Sequence, residues 1–452
     1  MMGPRTGQQD RLFYEFNIED HVPSDHLLRR IDRVLDLSWV RSELAPYYSH
    51  TGCPSIDPEL MIRMLLISYC YSIRSERKLC QEVELNLAYR WFCRLGLEDK
   101  VPHHSTFSVN RHGRFREGDV FRKVFERVVH QCMDAGLVKG EGFAVDASVI
   151  EADASRFERV EGANVEWTQE QQSHRAVKEY LQALESENAP TNPGRKPKAM
   201  SPTDPMAAWT TRGRNKVMFA YSLNYLIDME NAVVLDVEAT PTRISKEVEV
   251  TRTMLERTRR CFNLQPDCLA GDVAYGNGQM LGWLVDHGID PHIPVWDKAK
   301  REDGSLSRND FVFDEEQDIY TCPNGKTLKT TGTVHEGKTL LYRSSKRDCD
   351  PCLLKSRCCP RTPSRKIPRD INEAAREHAR ALYGSPAYNQ SARDRKKIER
   401  LFGEVKHNLS IARLRLRGLT GARDEFLLTA TVQNLKRLAG LCSRPPPKAA
   451  ST

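Results

Sequence analysis

At 452 residues the chain is too long for one ordinary domain and points to two or three. Hydrophobic residues at 39% and charged residues at 29% give a globular composition, and the longest apolar stretch, Met64 to Tyr69, falls far short of the ~18 residues a membrane span needs. Lys and Arg (68) outnumber Asp and Glu (61) by only 7, so where the charges lie matters more than their sum. The first ten residues hold no apolar core of a secretory signal. A cytoplasmic location is therefore expected, with the 13 cysteines structural, catalytic or metal-bound rather than paired as disulfides.

Residues 1–139 read as a helical amino-terminal domain. Asp57 and Pro58 form a helix start ahead of an apolar run through Met61, Leu65 and Tyr69. Ser75 opens a second helix. Asp119 to Ala135 is amphipathic, with Val120, Val124, Val128 and Cys132 at four-residue steps, and Gly136 ends it. The period then changes from 3.6 to 2. Gly142 to Ile150 reads as a strand, and residues 186–215, rich in Pro, Ser and Thr, read as a mobile loop.

Phe219 to Asp228 and Ala232 to Ala239 read as a hairpin, 246–260 as a helix, Asp267 to Val273 as a short buried strand, and Asp290 to Trp296 as another. Residues 298–370 are charged, turn-rich and hold five cysteines, so they read as a small β-rich insert. Helices return at 393–412 and 424–441, before a basic Pro-rich tail at 443–452. This order predicts an α/β fold: a mixed sheet flanked by helices over 140–297 and 371–442, interrupted by the insert.

Three carboxylates stand out. Asp146 sits mid-strand between the small same-face neighbours Ala144 and Ser148, where a charge is expensive to bury unless something compensates it. Asp272 lies at the carboxyl end of a second strand, where sites form in open sheets. Either Asp alone reads as readily as a turn or cap carboxylate. Glu399, projected at ~100° per residue, shares a stripe with Arg395, Phe402 and Lys406 beside the apolar stripe of Ile398, Leu401, Val405 and Leu409, while Glu404 points to solvent. By itself Glu399 reads as half of a surface ion pair with Arg395. Together, two strand carboxylates and one helix carboxylate suit two Mg²⁺ or Mn²⁺ ions, which favour carboxylate oxygen and clamp the attacking and leaving oxygens of a phosphoryl transfer.

Taken with the segments PSIDPELMIRMLLISYCYSIRSERKLCQE, PHHSTFS, FAVDASVIEA, SPTDPMAAW, LAGDVAYGN, YTCPNGKTL and RKKIERLFGEVKHNLSIARLRLRG, the sequence resembles a bacterial insertion-sequence DDE transposase with an amino-terminal helical domain. The resemblance implies an RNase H-like catalytic core with Asp146, Asp272 and Glu399 as its acidic triad. It implies Mg²⁺-dependent nicking at element ends, then attack of the freed 3′-hydroxyl on target DNA. Its partners would be double-stranded DNA, both terminal inverted repeats and target, and a second copy of the chain. The helical front would bind DNA ends or dimerise. Arg395, Glu399 and Lys406 fit a signature of Tyr, Arg, Glu and Lys in such enzymes, whereas the Tyr position is Ala392. A nuclease of the same fold that cuts without joining, and a zinc-bearing DNA-binding protein without catalysis, are the competing readings.

Cys349 and Cys352 form a Cys-x2-Cys pair, followed by Cys358 and Cys359 and preceded by Cys322. Tetrahedral thiolate zinc sites use such spacings. Cys322, Cys349, Cys352 and Cys358 are the expected structural Zn²⁺ ligands, with Cys359 competing for the last place and His335 a weaker alternative. Unliganded thiols are the plainer reading. Between Arg393 and Arg417 nine basic residues face three acidic ones, a local net of 9 − 3 = +6. Arg413, Arg415 and Arg417 alternate with Leu414 and Leu416, so one side is expected to meet DNA phosphates and the other a core; a solvated helix face is the bland alternative.

Overall fold

A computed structural model describes residues 16–49, 51, 55–161, 167–185, 199–212, 216–242, 244–296 and 304–441. Residues 186–198 and 213–215 of the expected loop, and the tail 443–452, lie outside the described residues.

The helices that matter here are, in chain order, α1 (Leu27–Val34), α2 (Pro58–Cys70), α3 (Val120–Asp134), α4 (Ile244–Phe262), α5 (Gly278–Asp286), α6 (Glu373–Leu382), α7 (Pro386–Asp394), α8 (Lys396–Gly403) and α9 (Leu419–Leu441). The strands of the larger sheet are β1 (Gly142–Glu151), β2 (Ala208–Arg212), β3 (Lys216–Asp228), β4 (Val234–Pro241), β5 (Cys268–Ala270) and β6 (Asp290–His292). Those of the smaller sheet are β7 (Val312–Asp314), β8 (Ile319–Thr321), β9 (Thr327–His335), β10 (Thr339–Arg343) and β11 (Lys366–Asp370). The fold is α/β, as expected: a helical front, a mixed sheet with helices, and a separate antiparallel sheet. Among the described residues no helix is long and apolar enough to cross a membrane.

The chain divides into two compact units. One comprises residues 1–137, 150–219 and 403–452. In it α9 packs against α1, α2 and α3. α9 is sheathed almost all round, with Phe426, Leu428, Val432 and Leu435 buried beside Thr429, Gln433 and Asn434. α2 starts as the sequence predicts: Asp57 Oδ1 accepts the Glu59 N–H at 3.1 Å and Pro58 occupies the first turn. Val120, Val124, Val128 and Cys132 of α3 are all buried. Arg415 is held inside, 3.5 Å from the buried carboxylate of Glu425 and over the ring of Tyr69.

The other unit comprises residues 138–149 and 220–402. The sheet order is β2-β3-β1-β5-β6, with β4 on β3; β2, the end of β1 and the start of β3 are residues of the first unit. The expected hairpin is present: β3 and β4 are antiparallel, Tyr225 opposite Val237. Bonds from Met229 N to Gly142 O and from Ala152 N to Phe219 O make β3 antiparallel to β1. β5 and β6 then run parallel to β1 and to each other. Part of the segment expected as an open loop is ordered: residues 208–212 form β2. The smaller sheet has the order β11-β10-β9-β8-β7 around a core of Phe311, Tyr320, Leu328, Tyr342 and Ile367.

The helix expected over 393–412 stops at Gly403, and residues 404–408 form a π-helical turn. A π turn adds a residue per turn and rotates everything after it. Glu404, projected to solvent, is the first residue of this turn and is instead half-buried, accepting the Gln433 side chain at 3.0 Å.

Candidate active site

The parallel register of β1 and β5 brings the two aspartates level. Gly142 pairs with Cys268, Phe143 with Leu269 and Ala144 with Ala270, a constant offset of 268 − 142 = 126. Asp272 − Asp146 has the same offset, 272 − 146 = 126, so Asp272 lies at Asp146's register two residues beyond the ladder. Asp272 keeps extended backbone (φ −84°, ψ 178°) and its Oδ1 accepts the Ala274 N–H at 2.8 Å, capping the short turn Val273–Tyr275. Because side chains alternate along a strand, a step of two residues keeps both carboxylates on one face.

Asp146 Oδ1 accepts its neighbour's N–H, from Ala147, at 2.8 Å. Its other oxygen accepts Arg395 Nη1 at 3.1 Å. Burial pushes the Asp146 carboxyl up to about 6, and the negative charges of Asp272 and Glu399 add to the rise against the pull of Ala147 and Arg395. Burial therefore outweighs one guanidinium here.

Glu399 comes from α8, whose Ile398, Leu401 and Phe402 are buried while Glu399 is exposed. Arg395 caps α7, just ahead of α8, and its Nη2 lies 3.8 Å from Glu399 Oε1. The expected Arg395–Glu399 pair is therefore present, and the same guanidinium also reaches Asp146. α7 is fixed to the sheet by Ser391, whose hydroxyl is 2.7 Å from His292 Nδ1 on β6. Ala392, at the signature's Tyr position, is exposed.

Asp146, Asp272, Glu399 and Arg395 all belong to the mixed-sheet unit. Lys406, Arg413, Arg415 and Arg417 belong to the helical unit. There, Arg413 and Arg417 both lie 3.0 Å from Asp153 and remain half exposed, while Arg415 donates to Arg74 O and pairs with Glu425. Leu414 is buried, as the alternation predicts.

The five clustered cysteines, Cys322, Cys349, Cys352, Cys358 and Cys359, line one recess of about 30 Å³, room for one small ion or water. Cys322 Sγ accepts the Lys326 N–H at 3.3 Å, Cys352 Sγ accepts Asn324 Nδ2 at 3.6 Å, and Ser344 Oγ lies 3.0 Å from Cys349 Sγ. Burial pushes the Cys358 thiol up to about 11, with Cys359 adding to it. His335 lies at the end of β9 and does not line the recess.

Among the described residues no three His, Cys, Asp or Glu side chains stand close enough together to hold one metal ion. The donor chemistry of the acid site suits a divalent cation: hard oxygen ligands, and a half-buried Asp146 carboxyl whose raised pKa positive charge would draw down. The present spacing is wider than one ion spans, with the Arg395 guanidinium lying against Asp146.

Two side chains near the acids carry no mark in the sequence pattern. Tyr275 is 2% exposed, and its hydroxyl has no hydrogen-bond partner. Glu247 on α4 is half-buried and accepts Ser222 Oγ at 2.7 Å. Tyr275 stands in the same turn as Asp272, so a search of that turn for polar groups would have found it. For Glu247 the sequence carries no signal.

Comparisons with known proteins bear on different stretches of the chain. Residues 16–113 match the family model described as Transposase domain (DUF772). Residues 321–439, which include Glu399, match the one described as Transposase DDE domain. Both matches are to transposase domains, one in each half of the chain, and are consistent with a DDE transposase. No curated protein matches. Among solved structures, a piggyBac transposase synaptic complex with hairpin DNA aligns at a TM-score of 0.35 and 11% identity, over 92% of this chain and 75% of that one.

Proposed function

We propose that the chain cuts the ends of an insertion sequence and joins the freed 3′-hydroxyl ends to target DNA, with Asp146, Asp272 and Glu399 as its acidic triad. The observation that carries this reading is that Asp146, on β1, and Asp272, two residues past the parallel strand β5, share one register offset, with Arg395 bridging Asp146 to Glu399. Mg²⁺ or Mn²⁺, two ions held by the three carboxylates, would supply Lewis-acid activation of the attacking and leaving oxygens. Asp146 offers its carboxylate from the sheet, and Asp272 offers its own from the turn that directly follows β5, with its backbone still extended. Glu399 approaches from α8 and completes the set. Arg395 holds Asp146 and Glu399 together, and its fork suits a DNA phosphate drawn into the site.

The core over 140–297 and 371–442 is read as RNase H-like, with 298–370 as an insert and 1–139 as the domain that binds DNA ends or dimerises. Lys406, Arg413 and Arg417 are read as phosphate contacts. Arg415 is read with them from its place in the basic run, although its guanidinium pairs with Glu425. The thiol recess is read as a structural Zn²⁺ site using Cys322, Cys349, Cys352 and Cys358, in the alternative Cys359; their thiols would have to close in from their present spacing to bind the ion. Function as a DNA-bound homodimer in the bacterial cytoplasm, at the nucleoid, completes the reading.

The test is cleavage and strand transfer on DNA carrying the element's ends. Asp146→Ala, Asp272→Ala and Glu399→Ala should each abolish Mg²⁺-dependent nicking while circular dichroism and the melting temperature stay near wild type. Nicking retained in all three variants would overturn the reading. Supplying precleaved 3′-hydroxyl ends separates a joining enzyme from a nuclease that only cuts.

A further inference from the structure

Glu399 is loosely held for a member of the acid site. Its side chain is 57% exposed, and its one ion pair among the described residues, to Arg395, is 3.8 Å long. Where Glu399 stands is therefore set by the corner between α7 and α8 that carries it. Three side chains fasten that corner. Ser391 of α7 lies 2.7 Å from His292 Nδ1 on β6. Arg395, at the corner itself, donates to Asp146 on β1 at 3.1 Å. Lys397, in the first turn of α8, donates from Nζ to Met229 O at 2.6 Å and to Glu230 O at 3.0 Å, both in the turn between β3 and β4.

The Lys397 ammonium also meets Asp394, at the end of α7, at 2.9 Å. An ammonium has three N–H groups, and here three acceptors stand at bonding distance. Lys397 belongs to the basic run of 393–417, yet it is half-buried and has no donor left for a phosphate. The buried Ile398, Leu401 and Phe402 hold α8 in place, but apolar packing is non-directional. Two polar anchors leave a corner free to swing about the line between them; a third fixes it. The third also reaches the strand of Asp146. Met229 N donates to Gly142 O at the start of β1, so the turn is bonded to β1 on one side and to Lys397 on the other.

Resting on the reading of Asp146, Asp272 and Glu399 as the acid triad, we propose that Lys397 is a positioning residue: it locks the α7–α8 corner onto the β3–β4 turn and so sets where Arg395 and Glu399 stand relative to Asp146. It acts through those two side chains and touches no phosphate itself. Ser391 secures the other end of the corner through His292.

The experiment is cleavage of element-end DNA by full-length variants, read beside their melting temperatures and crystal structures. Lys397→Met keeps most of the apolar stem and removes the donors. It should lower kcat by about 100-fold, the order of effect of a 1 Å misplacement, with KM for the DNA and the melting temperature near wild type. Lys397→Arg, which keeps the charge and the donors, should recover much of the rate. The structure of Lys397→Met should show the corner moved off the turn and the Arg395–Asp146 bond opened. A raised KM with kcat unchanged would make Lys397 a DNA contact and overturn the proposal. So would a corner that stays in place, or a lost kcat that comes with a lowered melting temperature and is not recovered by Lys397→Arg. Glu399→Ala is the reference. If it loses cleavage while Lys397→Met keeps the wild-type kcat, the positioning role is refuted and the triad stands. If Glu399→Ala cleaves at the wild-type rate, the triad itself is refuted, and this inference falls with it.

Discussion

Two acids of the mixed-sheet unit, Asp146 half-buried and Glu373 buried, meet opposite surroundings. Glu373, at the start of α6, is 1% exposed and is bonded by three guanidiniums, Arg308 at 2.7 Å, Arg380 at 2.9 Å and Arg376 at 3.2 Å. Burial works to raise its carboxyl, yet Arg308 and the other two arginines win and hold it below the usual range. Asp146 has one guanidinium, two neighbouring acids and a carboxyl raised to about 6. Burial costs both, and the count of nearby positive charges decides the sign. An acid whose charge is more than matched inside the protein is a structural fixture. An acid left short of positive charge, beside other acids, is built to receive it from elsewhere.

The largest effects should separate along that line. Asp146→Asn should eliminate cleavage, a loss of at least about a thousandfold if the carboxylate acts at the reacting phosphate, while the melting temperature holds or rises because a buried charge short of partners has been removed. Glu373→Ala should do the reverse. It strands three arginines and should cost about 3–5 kcal/mol of stability, as breaking a buried ion pair does, with residual activity in the fraction that stays folded. Denaturant melts read beside cleavage rates check both; an Asp146→Asn protein that is inactive only because it unfolds would erase the contrast.

Much of this contrast was hidden in the sequence. The strand carrying Asp146 was legible because small and β-prone residues break the helical period there, the hairpin of β3 and β4 was legible from its turn, and the strand expected over 267–273 was too long: it ends at Ala270, and Asp272 caps the turn beyond it. The clustered cysteines were legible because short turns gather residues that are close in the chain. Glu399's helix was legible up to Gly403, and the projection failed beyond it because a π turn leaves no periodic mark. Glu247 and Glu373 gave no signal, since what distinguishes them is the number of donors brought to each by distant segments: Ser222 for the first, and Arg308, 65 residues away, for the second.

The thiol recess offers an intermediate case, in which the missing partner would again be a cation, this time a structural one. Cys349→Ser combined with Cys352→Ser should remove bound Zn²⁺, read by elemental analysis of the purified protein. The melting temperature should fall by roughly 5–10 °C, the shift expected for the loss of a few kcal/mol. Cleavage at a temperature where the variant is folded should change little. Protein that carries no Zn²⁺ before mutation, and melts unchanged after it, would leave the five cysteines as ordinary thiols of the small sheet.

The smallest effect is the share of the pH dependence that Glu373 contributes. Its folded carboxyl titrates below the unfolded value of 4.5, so the unfolded chain binds the proton first as pH falls. The stability it contributes is therefore complete above about 4.5 and is lost as pH drops through the lower, folded value. Glu373→Gln cannot be protonated, so it should be less stable than wild type at neutral pH, and the gap between the two should narrow as pH falls below 4.5. Paired denaturant melts of wild type and variant between neutral and acid pH measure that gap. A constant difference across the range would mean that the three arginines hold Glu373 by shape and hydrogen bonding, with its charge contributing nothing net.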